Sequence, residues 1–172
     1  MANVDNPRGF IPLRLRGGGP LICNPYVLSA TNGEIAVNDL LERRNDGFVA
    51  LAQATSITLI GTAAEHVAAN TGGNILVYDD PDTIFLAQMD EAECDAQTDM
   101  DLNYNIVVTA LNARDESQQE IDSSTQAATA TLPIKVLRRA LISGSELSAF
   151  GANVAVECMI NNHLLKSTGV IG

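Results

Sequence analysis

Residues 74–91, NILVYDDPDTIFLAQMDE, limit the possible folds more than any other stretch. Two apolar runs, ILVY at 75–78 and IFL at 84–86, flank Asp79-Asp80-Pro81-Asp82. Val, Ile, Tyr and Phe suit a pleated, half-buried surface, whereas Asp-Pro clusters favour turns. Proline cannot donate to a ladder and biases Asp80 toward an extended backbone, so Pro81 belongs to the connection. The pattern predicts two strands joined by an acidic turn, with Val77 and Phe85 inward and Asp79, Asp80 and Asp82 exposed.

The same grammar of short β-forming runs and Gly, Asn or Asp punctuation extends along the chain. Runs at 26–28, 35–37, 48–51 and 57–61 are separated by Asn32-Gly33 and Asp46-Gly47, which tolerate the positive φ of hairpin turns. Residues 63–69 fit a short helical turn or a strand. Strands are expected at 105–111, 128–137 and 154–160, with Pro133 marking an edge or bulge. The polar stretch 113–124 is expected to be a loop or a short surface helix, and 143–153 a loop. Short strands at this spacing predict an all-β fold, a small β-barrel or a jelly-roll-like sandwich with long loops.

Residues 3–25 hold four prolines and Gly17-Gly18-Gly19, yet Phe10, Ile11, Leu13 and Leu15 are apolar. A disordered tail has no use for such side chains. The expectation is an extended N-terminal arm over 1–22, hinged at the glycines, ahead of a single β-rich domain over 23–172. The arm would add to a sheet edge or lie in a groove, with another molecule among the candidates.

The chain carries 10 basic and 21 acidic residues, net −11, which argues against nucleic acid and anionic membranes as partners. The bases are uneven: Arg8, Arg14 and Arg16 face one acid, Asp5, in the first 20 residues. Three cysteines without CxxC spacing suggest neither a disulfide framework nor a zinc site, and fit a reducing compartment. No signal-peptide core is seen, and no run reaches the roughly 18 apolar residues of a membrane span.

Catalytic constellations are weak. Cys158 with His163, or Cys23 with His66, are the available thiol–imidazole pairs, but Cys158 lies in an apolar alternating run typical of a core residue. Asp99, Asp101 and Asn103 begin like a calcium loop, but Tyr104 stands where the turn glycine belongs and Ala110 where the closing glutamate belongs. Gly17-Gly18-Gly19 lacks the lysine and hydroxyl of a phosphate loop. No cofactor, metal or catalytic residue is assigned.

Four segments, NPRGFIPLRLRGG, VYDDPDTIFLAQMDE, IDSSTQAATATLPIKVL and CMINNHLL, occur in an order in which the chain resembles the capsid decoration, or cement, proteins of tailed bacteriophages. The Gly/Asp-turned strands between Val37 and Val77 more distantly resemble the small barrel of lambda-type head decoration proteins. The resemblance implies a non-enzymatic structural protein of the virion, made in the host cytoplasm and bound to the outer surface of the icosahedral head. It implies two partners: the major capsid protein and further copies of the chain, with a trimer favoured over a dimer. From charge and geometry, Arg8, Phe10, Leu13, Arg14, Leu15 and Arg16 are the expected capsid contacts. The alternative is a virion-displayed binding module, a host-surface or carbohydrate adhesin, disfavoured by the absence of Trp.

Overall fold

A computed structural model describes residues 3–91, 94–143 and 146–166. The chain is all-β. Its strands are β1 (Ile11–Leu15), β2 (Asn24–Leu28), β3 (Leu40–Arg43), β4 (Val49–Leu51), β5 (Leu59–Ala63), β6 (Gly73–Tyr78) and β7 (Thr83–Gln88). They continue as β8 (Asn103–Val107), β9 (Glu120–Ala127), β10 (Ile134–Arg139), β11 (Leu141–Ser143), β12 (Glu146–Leu147) and β13 (Ala155–Ile160). Single 3-10 turns lie at Gln97–Asp99 and Leu164–Lys166. No helix among the described residues is long and apolar enough to cross a membrane.

Strands β2, β4, β3, β5 and β6 close a barrel around Leu28, Ile35, Leu41, Val49, Ile60, Ile75 and Val77. Its tightest point is Gly61, opposite Leu41 beside an irregularity in the β3–β5 register. Gly61 has φ +140°, and a Cβ there would collide with the Tyr78 carbonyl oxygen, so glycine is required. A six-stranded sheet runs β1-β7-β13-β10-β8-β9. A parallel bridge from Met89 to Ile121 ties the end of β7 toward β9, so the sheet curls back on itself. Phe10, Phe85, Tyr104, Ile106, Ile121, Val136, Val156 and Cys158 fill its inside, joined by Leu40 and Leu59 from the barrel strands and by Ala52 just past β4.

The expected pair of strands at 74–91 forms, but the two strands do not pair with each other. β6 lies in the barrel and β7 in the sheet, so residues 79–82 carry the chain from one to the other. Val77 and Phe85 are buried as expected. Asp79 is not exposed: it is 6% accessible and accepts hydrogen bonds from Asn24 Nδ2 at 2.8 Å and Tyr26 Oη at 2.6 Å. Those donors sit on β2, and satisfying a buried carboxylate with them fixes the crossover against the barrel. Burial and the Asp79 carboxylate push Tyr26 up to about 12.

Residues 35–37 form only a bridge, Ile35 to Val67, and the stretch 113–124 turns into β9 from Glu120 onward. The N-terminal segment adds to a sheet edge, and the edge belongs to its own chain. β1 pairs antiparallel with β7 of its own chain, and Phe10 is fully buried in the sheet's core. Gly9 turns the chain at φ +70°, packed so closely on Ser117 and the Asn38 carbonyl that a side chain would not fit.

Candidate interaction surface

Strand alternation sorts the outer from the inner side chains of β1, β7, β13 and β10. Phe85, Cys158 and Val136 are cross-strand neighbours facing inward; Leu86, Glu157 and Arg138 form the adjoining outward row. Lys135 opposes Met159 one row away on the same outer side. A bulge between Pro12 and Arg14 leaves Leu13 unpaired and 40% exposed, and brings Arg14 over Glu157.

Glu157 is the electrostatic centre of this face. Arg14 reaches it from β1 at 2.5 Å, and Arg138 from β10 at 2.8 and 3.0 Å. Burial alone would disfavour the charge on Glu157, which is 8% exposed, but the two guanidinium hydrogen bonds outweigh it and hold the carboxyl below its usual range. The same contact raises Arg14. One carboxylate thus serves two arginines, leaving an excess positive charge on the face. At the far end of β1, Arg16 and Lys166 share Asp82 at 3.1 and 3.2 Å. Lys166 is the main cause of Asp82's lowered pKa. Among the described residues, Arg8 and Lys135 have no ion-pair partner.

Beside this row lies a cleft of about 340 Å³, floored by Ile11, Leu86, Ala87 and Ala155, with Val4 and Arg8 at its rim. Its wall is residues 3–9, held to the sheet by polar contacts. Gln88 Nε2 donates to Val4 O at 2.9 Å, and Gln88 Oε1 accepts from Asn6 N–H at 3.1 Å. Asn3 Nδ2 donates to Ala149 O and Ala152 O at 2.8 and 2.9 Å.

The opposite charge collects around β9. Glu120 and Asp122 occupy alternate positions of β9, flanked by Asp90 and by exposed Asp5. Among the described residues none of the four carboxylates has an ion-pair partner. Burial, then Asp5 and Asp90, push Glu120 up to about 7, and its Oε1 is a buried atom without a hydrogen bond.

Of the six expected contact residues, Arg8, Leu13 and Arg16 are exposed, while Arg14 and Leu15 are half-buried. Phe10 faces the core and is inaccessible to a partner. The thiol–imidazole pairs are not assembled. Cys158 is buried inside the sheet, where desolvation raises its pKa, whereas His163 packs beside Ile60, Asp79 and Lys166. Cys23 hydrogen-bonds Tyr78, and His66 pairs with Glu34 at 3.0 Å. Asp99 Oδ2 accepts the N–H groups of Asp95 and Ala96, so its carboxylate closes a 3-10 turn. Among the described residues no group of three or more His, Cys, Asp or Glu side chains has metal-binding proximity.

Sequence reading missed Lys135, Arg138 and Glu157, because only cross-strand register brings them to Arg14. No family model, curated protein or solved structure matches this chain.

Proposed function

We propose that this chain is a capsid decoration protein that binds the outer surface of a tailed-phage head, as a homo-oligomer, and bridges major capsid protein subunits without catalysing a reaction. The reading rests on the resemblance of four segments, spread over most of the chain, to the decoration proteins of tailed phages. Two of them fall on the features that organise the fold: NPRGFIPLRLRGG supplies Phe10 and β1, and VYDDPDTIFLAQMDE links barrel to sheet. A compact all-β body with an exposed, partly apolar edge is also suited to lying on a shell. The shell contact is assigned to that edge: Leu13, Arg16 and the Gly17–Pro20 turn, all exposed.

Burying one such large side chain is worth roughly 1.5–3 kcal/mol before ordering costs, so tight attachment requires several contacts at once. The adhesin reading has one exposed aromatic to work with, Phe48 at 40%, since Tyr104 is fully buried and Tyr26 and Tyr78 are half-buried.

The test is co-sedimentation of the full chain with phage heads lacking their decoration protein. Binding that saturates at a fixed copy number per capsid is expected. A chain that stays in the supernatant sinks the decoration reading. Leu13→Asp combined with Arg16→Gln should weaken binding more than about tenfold; unchanged affinity of that variant sinks only the assignment of the edge.

A further inference from the structure

Two unbalanced charge patches share the N-terminal segment, which contributes Arg8 to one and Asp5 to the other. One is the outer face of β1-β7-β13-β10, where Arg8, Arg14, Lys135 and Arg138 meet a single carboxylate, Glu157. The other is the β9 side, where Asp5, Asp90, Glu120 and Asp122 meet no base among the described residues. Among the described residues no ion pair joins the two patches within one copy.

From this juxtaposition the geometry points to head-to-tail self-association, in which the basic sheet face of one copy docks on the acidic β9 side of the next. The occupant is a second copy because the complementary surface is present on the same chain. The cleft adds an apolar component: Ile11, Leu86 and Ala155 floor it, and Arg8 at its rim stands ready for a carboxylate of the neighbour. Because head-to-tail docking makes one such contact per pair of copies, the interface is heterologous and generates a ring if the rotation closes and a filament if it does not. Charge complementarity of this kind sets register and speeds encounter, and it weakens as salt screens it. The arrangement assigns Arg8 and Arg14 to contact between copies, leaving Leu13 and Arg16 for the shell. It does not rest on the decoration reading, and a chain that never bound a capsid would still be expected to associate this way.

The test is sedimentation equilibrium of the full chain at about 50 mM and about 1 M salt. Two variants avoid the buried Glu157 pairs: Arg8→Gln with Lys135→Gln on the basic face, and Asp5→Asn with Asp122→Asn on the acidic side. The parent chain is expected to be oligomeric at low salt and to dissociate at high salt. Each variant alone should associate more than about tenfold more weakly. An equimolar mixture of the two should form a capped 1:1 dimer, since it retains one intact pair of faces. A parent chain that is monomeric at low salt overturns the inference, as do variants that assemble like the parent. A mixture that stays monomeric overturns the head-to-tail arrangement.

Discussion

Phe10→Ala separates an N-terminal arm from an integral part of the core. Phe10 is fully buried, in one cluster with Phe85, Ile121, Val136 and Cys158. Truncating a buried Phe costs about 3–5 kcal/mol, as lost transfer free energy plus the cavity left behind. For a chain of this size each kcal/mol lowers the melting temperature by about 2–4 °C, so a drop of about 6–20 °C is expected. Leu13→Ala, three residues along at the exposed bulge, should change stability by less than about 0.5 kcal/mol. Thermal unfolding followed by far-UV circular dichroism measures both, and amide exchange in β1 shows whether the strand detaches. If Phe10→Ala melts within about 2 °C of the parent, residues 3–15 are not held as described. The same geometry makes deletion of residues 1–19 a poor probe of shell binding, because it removes a core side chain together with the contact.

Three further outcomes are expected. Gly61→Ala should cost more than about 3 kcal/mol or prevent folding, since its Cβ would enter the Tyr78 carbonyl; a soluble variant with parental denaturant midpoint would contradict that contact. Replacing Arg14 or Arg138 alone leaves Glu157 one guanidinium, whereas the double Ala variant removes both and should lose about 1–3 kcal/mol, with clear non-additivity in a double-mutant cycle. Two groups shape the pH dependence in opposite directions. Burial holds His163 at about 4 in the fold, so the unfolded chain takes up more protons as pH falls from 6.5 to about 4, and up to about 3 kcal/mol of stability is lost across that window. Glu120, raised to about 7, binds its proton more tightly in the fold and adds stability as pH falls from about 7 to 4.5. Glu120→Gln should therefore stabilise the chain at pH 8, by about 1–3 kcal/mol, and chemical denaturation at pH 8 and pH 5 checks the sign.

The all-β class was legible because Val77, Phe85, Val136, Val156 and Cys158 sit in runs whose alternation matches a pleat. β3 was missed because LLER is short and ends in charge, while only Leu40 and Leu41 are fully buried. β9 was missed because EIDSSTQA is polar, burying only Ile121 and Ser123. The pairing of 74–91 went astray for a different reason. An Asp-Pro cluster between two apolar runs reads as a tight turn, but Asn24 and Tyr26, more than fifty residues earlier, supply the hydrogen bonds that draw Asp79 inward. Local pattern carries no trace of such a distant donor. The basic face was half visible: Arg8 and Arg14 stand out in a proline-rich start, but their grouping with Lys135 and Arg138 depends on β1-β7-β13-β10 adjacency.

The strand order also sets a timetable. β7 is flanked by β1, from the start of the chain, and by β13, from its end. As the chain is made, β1 and β7 can pair long before residues 155–160 exist, leaving the other edge of β7 open until then. An open edge invites pairing with other chains, and pairings between remote segments close slowly. Refolding should be correspondingly slow and lose yield as concentration rises. Stopped-flow refolding over a dilution series would test it, and fast, concentration-independent recovery would show that the sheet does not wait for its last strand.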